Sequence, residues 1–348
     1  MGKDEVVYLK ISNNVIMNTL QVPVINSFEH LAELLSISEE LLYFLSFKKT
    51  YCYVQRKIPK KDGTTRTIYK PILSLKVVQK WILKEILEKI NVSQQSMAFV
   101  PKKNGLKMNA EYHKKNIFLL EMDISDFFGS IQEKQVFKLF CNIGYSAKVS
   151  AVLTNLCTYE GILPQGAVTS PYIANLVCYH LDARLNGLCS RRDIIYTRYA
   201  DDLSFSSNVR TELNRIEKII KYIVEDEGFL INEKKTRYFS NDVKKSITGI
   251  TINNEEIHVD KRMKKKVRSM IFNSILNKDY SNNDKIRGFI AYIDSIETGY
   301  RGKVVEYVNQ LGNSDVFRTD FDIVTAFNKN KLYKEIKDME YYIAVCPF

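Results

Sequence analysis

The sequence holds little of what a metal-cage or disulfide protein needs. Its 348 residues include four histidines, and its six cysteines (Cys52, Cys141, Cys157, Cys178, Cys189 and Cys346) form no C-x-x-C pair. Scattered thiols, four of them in apolar, helix-like surroundings, read as reduced core residues and argue against a zinc site or a disulfide framework. No run approaches the roughly 18 apolar residues of a membrane span. The N-terminal MGKDEVVYLK carries acids where a secretion signal would be basic and then apolar, and Val6 stands where a myristoylation signal needs Ser or Thr. The expected setting is the cytoplasm, with no membrane partner. There is no internal repeat, no low-complexity linker and no nuclease or toxin motif.

What is present is a large apolar fraction and a surplus of positive charge. At 45% hydrophobic residues the chain can bury a large core, and its length fits two or three packed subdomains. Lys and Arg number 51 against 40 Asp and Glu, a formal charge of +11, which points to a polyanionic partner without saying which.

Along the chain, Leu31, Leu34, Leu35, Leu41, Leu42 and Leu45 fall at near-helical spacing within residues 1 to 50. Two alternating runs in YCYVQRKIPKKDGTTRTIYKPI flank Asp62-Gly63, a hairpin signal. Residues 75 to 90 place Leu75, Val78, Trp81, Ile82, Ile86 and Ile90 on one helical stripe. The run IFLLEMDI reads as a buried strand ending in Asp123, followed by a turn through SDFFGS. A helix then starts with Ser130 and Glu133 as a capping box and stops before Gly144.

ILPQGAVTSPYIANLVCYHLDARL reads as a loop and a helix, with Ser170 as N-cap, Pro171 in the first turn, and a stripe of Ile173, Leu176, Val177, Leu181 and Leu185. Leu213, Ile216, Ile220 and Ile223 mark another amphipathic helix, ending near Gly228. FLIN and SITGITI read as strands, and Asn253-Asn254 as a turn. From Asp260 the chain becomes helical and basic: six of the eight residues 261 to 268 are Lys or Arg.

The stretch IIYTRYADDLSFSS sets two adjacent carboxylates, Asp201 and Asp202, between apolar runs. A polar hairpin turn would explain it, and so would a divalent metal that draws both charges together. Asp123 stands at the end of its own strand and bears on the choice. A strand ending in an acid and a hairpin turn holding two more can lie in one antiparallel sheet, with all three carboxylates at one edge. Such an oxygen-rich edge suits Mg2+, and two ions ~3.5 to 4 Å apart can clamp the attacking and leaving oxygens of a phosphoryl transfer. The order strand, helix, helix, hairpin, helix, strand is that of a ferredoxin-like split fold.

Taken in order, DISDFF, LPQGAVTSP, YADD, LINEKKT and SITG resemble the motifs of reverse transcriptases. NAEYH, residues 109 to 113, and ITG, residues 247 to 249, are similar to elements of bacterial retron reverse transcriptases, with Ile247 where a Val is usual. The resemblance covers about residues 45 to 310. It implies an α+β right-hand polymerase with fingers, a ferredoxin-like palm and a helical thumb. The expected divisions are an N-terminal helical segment at 1–45, fingers at 46–115, palm with fingers insertions at 116–255, thumb and RNA-binding region at 256–325, and a tail at 326–348.

The resemblance also assigns roles. Asp123, Asp201 and Asp202 would bind two Mg2+ ions. Phe128, core in other contexts, would stand as a wall against the sugar 2′ position, with Phe127 in the core beside it. Gln165 would meet the incoming deoxynucleotide, and Gly166 would let the backbone approach. Arg66 would hold triphosphate oxygens, a task that suits a guanidinium. Lys235 aligns with a lysine that protonates leaving pyrophosphate, although Lys234 beside it leaves the register open. Asn109, His113, Thr248 and Gly249 would take part in recognising a structured RNA. Lys261, Arg262, Lys264, Lys265, Lys266 and Arg268 would track duplex phosphates, where otherwise they form a solvated helix face. Tyr292, Tyr300 and Tyr307 would stack or pack.

The implied protein copies its cognate non-coding RNA into single-stranded DNA from a 2′-hydroxyl of an internal guanosine, leaving branched RNA–DNA, and works with a separate effector protein in defence against phage. The alternatives are a group II intron-like or other bacterial reverse transcriptase, and a catalytically silent RNA-binding scaffold. Three acids retained at one edge weigh against the scaffold.

Overall fold

The computed structural model describes residues 13–59, 63, 65–240 and 243–312. Asp62, Cys346 and the expected tail lie outside the described residues. Three helices come first: α1 (Asn13–Thr19), α2 (Phe28–Leu35) and α3 (Glu39–Phe47). Ser27 and Ser38 cap α2 and α3 by accepting the backbone N–H groups of His30 and Leu41. Strands β1 (Tyr53–Pro59) and β2 (Thr65–Pro71) form the expected antiparallel hairpin. Helix α4 (Leu73–Trp81) passes into a π turn at Ile82–Ile86 and a 3-10 turn at Leu87–Lys89, so the single helix expected at 75–90 changes pitch twice. Leu75, Val78, Ile82 and Ile86 are buried along it.

Next come α5 (Gly105–His113), β3 (Phe118–Asp123), α6 (Glu133–Ile143), α7 (Ala147–Cys157), α8 (Ser170–Val177) and α9 (Tyr179–Ser190). The box that starts α6 is Gln132 with Gln135, not Ser130 with Glu133. The Ser130 hydroxyl instead donates to the carbonyls of Ser125 and Asp126 and closes the preceding turn. Thr169, not Ser170, precedes α8, because the Ser170 hydroxyl is committed to the Pro164 carbonyl at 2.7 Å.

The chain continues through β4 (Ile195–Tyr199), β5 (Asp202–Ser207), α10 (Arg210–Asp226), β6 (Arg237–Phe239), β7 (Lys245–Ile247), β8 (Ile250–Asn253) and β9 (Glu256–Val259), then α11 (Lys261–Leu276), α12 (Asn283–Ile296) and α13 (Tyr300–Gly312). FLIN is no strand beyond one bridge, Ile231 to Ile124. The sheet strand is β6, six residues further on, paired antiparallel with β3. SITGITI is two strands, because Thr248 and Gly249 have φ of 48° and 84° and turn the chain back with Ile247 opposite Ile250.

Four strands form one sheet in the order β4-β5-β3-β6, the split arrangement in which the first strand lies between the third and fourth. Two compact units are defined. One contains the described residues up to Pro101, with Met122–Leu203 and Thr211–Thr236; the other contains Lys102–Glu121, Ser204–Arg210 and the described residues from Arg237 on. In the second unit the three-stranded sheet β7-β8-β9 shares a core with α5 and α11 to α13, including Ile250, Ile252, Ile271 and Ile290. Tyr300 is buried in that core and Tyr292 and Tyr307 pack against it, so packing is what these three tyrosines do here.

Cys52, Cys157, Cys178 and Cys189 are free and buried, and Cys141 is free and half-buried. Burial pushes the Cys157 and Cys178 thiols up to about 12, which keeps them inert. Among the described residues no helix is long and apolar enough to cross a membrane.

Candidate active site

Strand β3 is apolar through Leu119, Leu120 and Met122, all buried, and ends on the buried carboxylate of Asp123. Backbone bonds fix that end: Asn232 N–H donates to the Asp123 carbonyl at 2.8 Å, Ile124 N–H to that of Asp201 at 2.9 Å, and Ser125 N–H to that of Leu230 at 2.8 Å. The second of these ties the end of β3 to the β4–β5 turn. Ala200, in that turn, takes φ of 57°, a setting that costs an L-residue strain and is held by its surroundings.

The three carboxylates share one electrostatic environment. Burial, then repulsion from Asp201 and Asp123, pushes Asp202 up to about 7, with Lys235 pulling the other way. Asp201 is raised by burial first and by Asp123 second, while its backbone hydrogen bond, Lys235 and Arg66 hold it down. Lys235 Nζ donates to Asp123 Oδ2 at 2.7 Å, and that bond raises the ammonium above its ordinary range. Lys234 beside it is exposed.

Crowded carboxylates whose charges oppose one another are what a divalent cation relieves, and oxygen-only donors suit a hard ion. Among the described residues no group of three or more His, Cys, Asp or Glu side chains is placed to hold a metal ion. A hard divalent ion can be held by one or two carboxylates, with water and phosphate oxygens filling the rest of its shell.

Arg66 is exposed on β2 and close enough to Asp201 to lower its pKa. Beside it, Tyr69 N–H donates to the Gln165 carbonyl at 2.8 Å. Gly166 has φ of 117°, and a Cβ there would fall 2.7 Å from Ile68 Cγ2 and 2.8 Å from the Tyr69 carbonyl oxygen. Only glycine lets this loop lie against β2. Phe128 is half-buried, its ring centre 5.3 Å from that of buried Phe127 and 6.4 Å from that of Phe99. Thus Asp123, Asp201, Asp202 and Lys235 are brought together, Arg66 stands near them, and Gln165 and Gly166 adjoin the Arg66 strand.

The residues assigned to RNA recognition lie in the second unit. Asn109 and His113 are fully buried on α5, not on a surface a nucleic acid could touch. His113 Nδ1 is 2.7 Å from Ser206 Oγ, which also receives Asn116 Nδ2 at 2.7 Å. Thr248 and Gly249 are turn residues. On α11, Lys261, Arg262, Lys265, Lys266 and Arg268 are exposed, whereas Lys264 is paired with Glu297 at 2.7 Å.

Sequence reasoning missed Arg198 and Asp182, a fully buried ion pair at 2.7 Å behind the β4–β5 turn. The signal was there in IIYTRY: an arginine inside an apolar strand needs a buried partner.

Residues 58–252 match the family described as Reverse transcriptase (RNA-dependent DNA polymerase). The chain belongs to that family and is an RNA-directed DNA polymerase. Its place within the family is among the retron reverse transcriptases. It is 34% identical over 303 residues to the Retron Ec86 reverse transcriptase of Escherichia coli, covering 86% of this chain and 93% of that one. It is 32% identical to the Retron Mx65 reverse transcriptase of Myxococcus xanthus, covering 78% and 69%. Among solved structures, telomerase from Candida albicans with a telomeric RNA fragment matches with a TM-score of 0.48 at 12% identity, over 85% of this chain and 67% of that one. Dependence on a divalent metal is general in the family.

Proposed function

We propose that this enzyme copies a structured non-coding RNA of its own locus into short single-stranded DNA, starting from the 2′-hydroxyl of an internal guanosine in that RNA. The observation that carries the nucleotidyl-transfer part of the reading is the convergence of Asp123, Asp201 and Asp202 with Lys235 at the ends of β3 and the β4–β5 turn; the choice of template and primer rests on the likeness to the retron reverse transcriptases. Asp123, Asp201 and Asp202 would hold two Mg2+ ions, which supply positive charge to the attacking and leaving oxygens.

The other roles belong to the chain. Arg66 binds triphosphate oxygens of the deoxynucleotide. Gln165 and Gly166 shape the floor beneath it, and Phe128 blocks a ribose 2′-hydroxyl. Lys235, fully protonated, gives a proton to the departing pyrophosphate oxygen. The exposed basic residues of α11 bind phosphates of the template–primer duplex. In subdomain terms, residues 46–115 act as fingers, 116–255 as palm and 256–325 as thumb. The partners are the cognate RNA, its DNA product and a separate effector protein, acting in the cytoplasm against phage.

Expression with the flanking non-coding DNA tests this. Wild type should yield a short single-stranded DNA whose mobility shifts on RNase or debranching treatment, and an Asp201→Ala, Asp202→Ala double variant should yield none. Primer extension on an ordinary RNA template with no such product would place the enzyme outside retron priming. Failure of both reactions in wild type would favour a silent scaffold.

A further inference from the structure

Three residues before the Asp201-Asp202 pair, β4 carries a guanidinium with no solvent exposure. Arg198 Nε and Nη2 donate to Oδ1 and Oδ2 of Asp182 at 2.8 and 2.7 Å, and Tyr196 OH donates to the same Oδ1 at 2.8 Å. Arg198 Nη1 donates to Asn175 Oδ1 at 3.1 Å and to the Ala200 carbonyl oxygen at 3.3 Å. Behind it, Asn175 donates to the Ala98 carbonyl at 2.8 Å, and the guanidinium carbon lies 6.0 Å from the centre of the Phe127 ring.

A buried ion pair of this kind is poor value as packing, because apolar side chains of similar volume fill such a space at least as well. An apolar side chain cannot reach the Ala200 carbonyl. That carbonyl belongs to the residue with φ of 57°, and its peptide leads directly into Asp201. Phe127 follows four residues after Asp123, so one guanidinium touches both stretches that carry the carboxylates.

We propose that Arg198, clamped by Asp182, is a positioning residue for DNA synthesis: it holds the Ala200–Asp201 peptide in its left-handed turn and thereby fixes where both turn carboxylates stand. The inference rests on reading Asp201 and Asp202 as cation ligands. A turn freed from this anchor keeps its carboxylates but spreads their positions, and displacement on the order of 1 Å at a reacting centre costs up to about 100-fold in rate. RNA binding and deoxynucleotide affinity, which depend on other residues, are left alone.

Two variants test it. Arg198→Met with Asp182→Leu removes both charges together and retains bulk. Arg198→Lys keeps a charge near Asp182 but has no fork to reach the Ala200 carbonyl as well. Each is followed by primer extension on an RNA template, with rates normalised to the RNA-binding-competent fraction, and by Mn2+ titration of the free protein using electron paramagnetic resonance. The expected result is kcat lower by about 10- to 100-fold, KM for deoxynucleotide and RNA affinity unchanged, and Mn2+ affinity weakened. Wild-type kcat and Mn2+ affinity in the competent fraction of either variant would overturn the role. Asp201→Ala run beside them separates the two readings. If it leaves synthesis and Mn2+ binding intact, the cation site itself is wrong; if it abolishes both while the Arg198 variants match wild type, only the positioning role falls.

Discussion

Lys235 Nζ and Asp123 Oδ2 meet at 2.7 Å across 112 positions of sequence, joining the 3-10 turn Glu233–Lys235 to the end of β3. The contact gives the lysine two possible duties, to steady Asp123 and to deliver a proton. Lys235→Ala should lower the single-turnover rate of nucleotide addition by about 100-fold or more, measured by rapid quench, with RNA affinity unchanged. Lys235→Arg keeps the positive charge and should restore part of the loss. A wild-type rate in the alanine variant would remove both duties.

Phe128 is half-buried beside Phe127, with Phe99 on another side. Phe128→Ala should open room at the sugar and raise the ratio of ribonucleotide to deoxynucleotide incorporation by at least about tenfold, since an unopposed steric exclusion is worth 1 to 3 kcal/mol. Competition assays on one template read the ratio directly; no change would remove the wall role.

His113 links pH to the stability of the second unit. Burial pushes its pKa down to about 3 from an ordinary value near 6.5. The unfolded chain therefore binds a proton that the folded chain refuses. The stabilisation is full above about pH 6.5 and declines as pH falls toward 3, by up to about 1.4 kcal/mol per pH unit. Urea unfolding at pH 7 and pH 5 should show a loss about 2 kcal/mol larger in wild type than in His113→Gln. Equal losses would mean that the imidazole is accessible to protons in the folded state.

Lys261, Arg262 and Lys265 are exposed at the start of α11. Replacing all three with Gln should weaken RNA binding across sequences and flatten the plot of log affinity against log salt by roughly one unit of slope per lost phosphate contact. Lys264→Gln should not flatten it, because that ammonium already serves Glu297. A slope that survives the triple change would move the phosphate track elsewhere.

The elements that sequence revealed are those with strong periodicity or sharp turn chemistry. Strand β3 ending on Asp123, the β4–β5 hairpin, the stripe of α10 and the basic start of α11 all stand where alternation and helical spacing put them. What stayed hidden depends on contacts between distant residues. Strand β6 is three residues of Arg, Tyr and Phe with no apolar alternation, and only its pairing with β3 makes it a strand. Gln132 and Gln135 outcompeted Ser130 for the start of α6 because the serine hydroxyl was already engaged in the turn. Asn109 and His113, four apart on α5, share a face as expected, yet that face points into the core. Arg198 looked like one more residue of an apolar run, although its charge required the partner that Asp182 supplies.

The first unit is assembled from three stretches of chain, and the groups around the carboxylates come from residues 66, 123, 201–202 and 235. No contiguous fragment short of about half the protein contains them. Loop closure over such separations is slow relative to local helix formation. On a ribosome, the polymerase centre is incomplete until Lys235 has emerged, long after the β1–β2 hairpin could have paired. A protease cut between Asp123 and Lys235 would divide the centre itself, leaving neither product with a full set of its charged groups.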